Sequence, residues 1–329
     1  MIHVPPRHVL ITCARMVSLS ALRVRQLVYT LLWLPALSSV AFPTVVAAVT
    51  WREYTNSHFH ALSDAPEPEV LELLGDLERF RAAVQVVTGV RVPVDVPRDI
   101  VIVFRNRGEY LDYAPGYYAG GHIAKGDGQH PSVMLLPVDQ MRIDSSHVIR
   151  HEFVHSLLVH HEIDFPRWYE EGLAEFLSTV LFEGDAVVVG LPPKDRFKQS
   201  LEVLSFEQIM AEGYNPHVRT VQYGDPYLQY WFLVDYLLLG SRARYTQLED
   251  CLRLVHLGTP AVEAFSIAFG MSPQKFWDSE LKSYAVNLRS RGRYKKVPIP
   301  AAYLDLDFRQ TPMSTEDVQM LLDKLKPTA

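Results

Sequence analysis

Cysteine is nearly absent, with only Cys13 and Cys251 in 329 residues. Cys13 falls in an N-terminal segment expected to be removed, which leaves Cys251 without an intrachain partner and excludes a disulfide framework. With no disulfide pattern to read, cysteine usage says nothing about the redox compartment. Cys251 lies with Leu248, Leu252 and Val255 in an apolar-periodic stretch, the setting of a buried structural thiol rather than a nucleophile. Positive charge is also scarce: the formal net charge is -6. Beyond the first fifty residues no basic cluster offers the concentrated face that phosphate binding needs, so no nucleic-acid partner is expected. The Arg291–Lys296 stretch, RGRYKK, is short and reads as a solvated turn. Internal repeats and low-complexity tracts are missing. So, after residue 49, is any apolar run long enough to cross a bilayer.

The first 49 residues differ from the rest. Arg7, Arg15, Arg23 and Arg25 precede an apolar run from Leu27 to about Val49, broken by Pro35 and Pro43 and ending near Ala47 and Ala48. Basic residues, an apolar stretch and a small-residue end describe a secretory signal. The expectation is therefore an exported, periplasmic or secreted protein. The alternative is an uncleaved segment that anchors it, the only membrane contact foreseen. Cys13 follows Thr12 and is a poor site for lipid attachment.

Periodicity then divides the mature chain. Residues 51–63 read as one strand and 67–88 as a helix with Val70, Leu73, Leu74, Leu77, Phe80, Val84 and Val87 at helical spacing. Residues 99–104 and 132–136 are short strands, and 114–130, with five glycines, is a loop or loose hairpin. Helices follow over roughly 144–160 and 167–180, with Asp144 and Ser145 as N-cap of the first. Residues 183–189 are a strand or hairpin. A connector at 190–200 leads to a half expected to be almost wholly helical. The reading is α+β: an α/β part at 50–189, then a helical part at 190–329, with a cleft between them.

His151-Glu152-Phe153-Val154-His155 carries the chemistry. Residues four apart share a helix face, so His151 and His155 can place two imidazoles on one metal ion. Zinc favours nitrogen ligands in a tetrahedral site and keeps a water when catalytic; Glu152 can take that water's proton as general base. If the second helix runs antiparallel to the first, Glu171 reaches the metal as third ligand. Glu175, one turn on, is then placed to accept a hydrogen bond from a ligand imidazole.

HEFVH, then fifteen intervening residues, then EGLAE with Trp168 just upstream, resembles the gluzincin metallopeptidases, and most of all the bacterial peptidase-MA-like domains. WREYTNSHFHALSD and YYAGGHIAKGDGQHPSVMLL add to the resemblance, which covers most of residues 51–240. It implies a zincin-like α/β part with an active-site helix, one Zn2+ on His151, His155 and Glu171, Glu152 as base, and Glu175 in place of the family's aspartate beside the ligands. It also implies an oxyanion-stabilising phenol from the helix opening at residues 223–230, Tyr227 first and Tyr223 second. Strand 132–136 is expected along the cleft with a free edge for an extended peptide, and the 114–130 loop as a flap or an idle loop. The Gly-x-Met-Glu-Asn motif that captures a peptide N-terminus is absent, which tilts the expectation to an endopeptidase.

A metzincin pattern would put the third ligand at His161, but Leu158 stands where that family needs glycine for the turn. His160 and His161 are expected as exposed residues near a helix C-terminus, where a cationic imidazole is favoured; His147 is expected as a neighbour of the ligands. The expected partner is a peptide or protein substrate. A zinc hydrolase acting on a non-peptide small molecule, and a non-catalytic binding protein on a zincin fold, are the alternatives. Oligomeric state is not legible.

Overall fold

Residues 51–63, expected as one strand, form two. Asn56 ends the first: its side-chain oxygen accepts from the backbone N–H groups of His58 and Phe59 at 2.9 and 2.7 Å, a turn made without glycine or proline. Strand β1 (Arg52–Thr55) thus folds back antiparallel on β2 (Phe59–Ser63). The computed structural model describes residues 50–90, 96–114, 121–126, 130–138, 146–160, 165–193, 204–211, 226–291 and 294–323.

Helix α1 (Glu67–Thr88) crosses from β2 to β3 (Asp99–Phe104), which lies parallel to β2. After the short α2 (Arg107–Leu111), β4 (His122–Ala124) pairs antiparallel with β5 (Val133–Pro137), itself parallel to β3. The expectation of a free edge on the strand before the metal helix is therefore corrected. β5 is covered on both sides, and β4 is the edge strand. Helix α3 (Ser146–Leu158) and α4 (Arg167–Ser178) follow, then the hairpin β6 (Leu181–Glu183) and β7 (Ala186–Val189).

Further along lie α5 (Phe206–Met210), α6 (Pro226–Leu239), α7 (Arg242–His256), α8 (Ala261–Phe269), α9 (Pro273–Phe276), a π-helical turn at Trp277–Leu281, and α10 (Lys282–Arg291). The near-absence of strands expected here does not hold. β8 (Lys295–Pro298) joins β7, and β9 (Arg309–Pro312) pairs antiparallel with β1, before α11 (Thr315–Asp323). Both strands are largely exposed and so carry no apolar alternation to read. The result is a mixed α/β molecule with a six-stranded sheet, order β4-β5-β3-β2-β1-β9, and a second sheet, β6-β7-β8.

Buried aromatics seat the helix that bears the histidines. Phe153 of α3 lies 6.0 Å, ring to ring, from both Phe59 of β2 and Phe80 of α1. Beside it the Arg150 guanidinium sits over the Phe80 and Phe182 rings and donates to the Val180 carbonyl at 3.0 Å. At the end of the chain a buried polar knot holds the returning strand segment. Glu78, fully buried, receives Arg81 and the backbone N–H of Asp305, and Asn56 donates to the Asp305 carbonyl.

Helices α4 and α6 meet at a glycine. A Cβ on Gly172 would sit 2.6 Å from Val234 Cγ2 and 2.8 Å from the Tyr230 carbonyl oxygen. The second contact is backbone and has no rotamer to move. Gly172→Ala is thus expected to destabilise the fold by about 1–3 kcal/mol, read as a lower urea midpoint. It should also weaken metal binding, because Glu171 is the adjacent residue.

Candidate metal centre

Helix periodicity brings His151 and His155 to one face of α3, and Pro166 starts α4 so that its first two turns lie against that face. The three donor atoms converge. His151 Nε2 and His155 Nε2 are 3.2 Å apart, and Glu171 Oε2 is 3.2 Å from the first and 3.5 Å from the second. All three residues are buried, and together they could hold a metal ion. Two imidazole lone pairs and a carboxylate oxygen at such separations repel unless a cation lies among them, a proton or a metal.

The other ring nitrogens are also held. Glu175 Oε1 lies 3.1 Å from His151 Nδ1, as its place one turn beyond Glu171 led us to expect, so its longer side chain in place of aspartate reaches the ring. Its second oxygen is 3.6 Å from His147 Nε2, which makes His147 a neighbour of the centre. Glu170 was missed by sequence reasoning. Its Oε1 is 2.7 Å from His155 Nδ1. Two adjacent glutamates project about 100° apart on a helix and one of them reads as solvated; the usable signal is that α4 faces two histidines, each needing its own acceptor. Carboxylates on both Nδ1 atoms hold the protons there and turn both Nε2 atoms toward the shared point.

Electrostatics follow from this packing. Burial pushes the His151 imidazolium down, but hydrogen bonds and charge from Glu171 and Glu175 outweigh it and raise the pKa to about 9. His155 is also raised, against burial, by Glu170 and Glu171. Burial pushes the Glu171 carboxyl up, yet the two histidines hold it far below the usual range. Removing either carboxylate that grips an Nδ1, by Glu175→Ala or Glu170→Ala, is expected to weaken metal binding about 10–100-fold in a chelator competition. The buried Glu175 should give the larger loss.

Glu152 is half-buried on α3, one residue from the first histidine. Its charge acts on His122 of the edge strand β4. Burial lowers the His122 pKa and the Glu152 carboxylate opposes that shift. Gly121 explains the approach. It has φ +148, and a Cβ there would lie 2.8 Å from Ile149 Cδ1, so the start of β4 packs directly on α3. His122 was not foreseen as part of the site, because only this tertiary contact links it to Glu152. Tyr227, at the start of α6, brings its ring edge-on to His151 with centroids 6.0 Å apart. The expected cationic His160 is corrected: burial lowers its pKa and favours the neutral ring. Tyr223, His161, Asp144 and Ser145 lie outside the described residues, as does most of the 114–130 loop.

Neither the known protein families nor the curated proteins yield a match for this chain. The site must be read from its geometry.

Proposed function

We propose that the chain is a zinc-dependent metallopeptidase, most simply an endopeptidase, with a zincin-like active-site part. The observation that carries this is the donor triangle. Tetrahedral zinc with bonds of about 2.0–2.1 Å sets its ligand atoms about 3.3 Å apart, and the three edges here are 3.2, 3.2 and 3.5 Å. Two nitrogens and one oxygen form the donor set of catalytic rather than structural zinc, which leaves a fourth position open. Zinc bound there would supply a Lewis acid and lower the pKa of a water.

The protein's own groups supply the rest. Glu152 accepts the proton of the attacking water and returns it to the leaving amine. Glu170 and Glu175 hold the imidazoles in register. Tyr227, whose ring lies edge-on to His151, would donate a hydrogen bond from its phenol to the developing oxyanion. An extended peptide would add to the outer edge of β4, its backbone paired whatever its sequence, with His122 and Glu152 beside the scissile bond. The N-terminal 49 residues support export, cleaved or retained as an anchor; no described helix is long and apolar enough to cross a membrane.

The test is cleavage of a mixed peptide library by residues 50–329 loaded with zinc. Cleavage that a chelator stops and zinc restores is the expected result. Stoichiometric zinc with no peptide cleaved, but with ester or epoxide hydrolysis, would replace this reading with a small-molecule hydrolase; zinc with no turnover of either kind would leave a binding protein.

A further inference from the structure

A half-open cavity of about 410 Å³ lies outside the metal centre, where α1 and α6 end and α7 begins. None of the metal-site residues lines it. Its volume falls within the ~300–1,000 Å³ of small-molecule sites. The walls are mostly apolar, with Val87 from α1, Phe176 from α4, and Leu238 and Leu239 from α6, and carry Ser241 and Tyr245 as polar members. Strand alternation supplies one side. Lys295 and Val297 of β8 both face the cavity, and Lys295 pairs across the sheet with Val189, a further wall residue. Lys296, between them, points elsewhere and bonds Glu183 at 3.0 Å.

Two cations stand on the rim, Lys295 and Arg242, both exposed. Among the described residues neither has an ion-pair partner. Glu183 pairs with Lys296, and Glu249 is hydrogen-bonded to Tyr245, which also lines the cavity. Two like charges over a mostly apolar trough, neither in an ion pair with a described residue, complement a ligand that has one anionic end and an apolar body. A bare anion would leave the trough wet, and a neutral hydrocarbon would leave the cations unanswered.

We propose that this cavity is a binding site for a free medium-chain fatty carboxylate, its head between Arg242 and Lys295 and its chain along Val87, Phe176, Leu238 and Leu239. The proposal is independent of any peptidase activity. Calorimetry of the full chain, with decanoate kept below its micellar concentration, tests it. Saturable one-to-one binding is expected. Octanoate, two methylenes shorter, should bind about fifteenfold more weakly, because each buried methylene contributes about fourfold in affinity. The double variant Arg242→Glu, Lys295→Glu, altered only at exposed positions, should lose about tenfold or more. Decanol, without the anionic head, should bind the parent protein clearly more weakly than decanoate does. Absence of saturable decanoate binding, an unaffected double variant, or decanol equal to decanoate would each overturn the proposal. So would inorganic phosphate binding as tightly as decanoate, or sedimentation showing that a second copy of the chain fills the cavity.

Discussion

Glu152→Gln is expected to cut peptide hydrolysis by about 10²–10⁴-fold while leaving zinc content and stability unchanged. Glutamine keeps the size of the side chain and loses only its ability to take and return a proton. The donor triangle is made by His151, His155 and Glu171, none of which the change touches. Among the described residues the half-buried carboxylate forms no ion pair, so the packing of α3 against them does not depend on one. Rate constants on a peptide found in the library, with zinc measured on the same preparation, decide the matter. A variant that holds zinc and cleaves within about threefold of the parent would remove Glu152 from the mechanism.

Glu171→Ala is expected to lower zinc affinity by about two to three orders of magnitude, roughly one ligand's share of the ~10–16 kcal/mol that four-ligand zinc sites supply. His161→Ala should leave it unchanged, since Glu171 already completes the triangle. A large loss only in the histidine variant would sink the Glu171 assignment. Zinc affinity should also depend on pH with a definite sign. In the metal-free protein the His151 pKa is raised from 6.5 to about 9, and zinc must displace that proton. Affinity therefore rises with pH across this window, about tenfold per unit for one proton released. For metal-free stability the pairing of protonated His151 with Glu171 and Glu175 is fully present below pH 6.5 and is lost as pH climbs through about 9. Zinc-loaded protein should not share that alkaline loss, and melting temperatures with and without zinc would show it.

The legible parts of the chain were those whose chemistry is local. Helix α1 shows its apolar face at every turn, β3 is a run of buried β-branched residues, and the HEFVH spacing alone puts two imidazoles on one face. The alignment of Glu171 and Glu175 with those imidazoles followed once an antiparallel second helix was assumed. What escaped depended on contacts distant in sequence. β8 and β9 are exposed strands whose place is set by the partners they join, β7 and β1. The break between β1 and β2 rests on one asparagine side chain. Glu170 needed the orientation of α4 relative to His155. His122 needed the close packing of Gly121 on Ile149, which no local pattern encodes.

The pairing of β1 with β9 also has a consequence for biosynthesis. Arg52 lies opposite Pro312, so β1 leaves the ribosome long before β9, the strand it pairs with. Until then β1 has an open edge and the six-stranded sheet is one strand short, whatever α3 and α4 have already assembled. A nascent chain stalled after α4 would carry His151, His155 and Glu171 of the candidate metal centre and still present that sticky edge to its neighbours. Truncation before residue 309 is thus a route to aggregation, even with the whole candidate site intact.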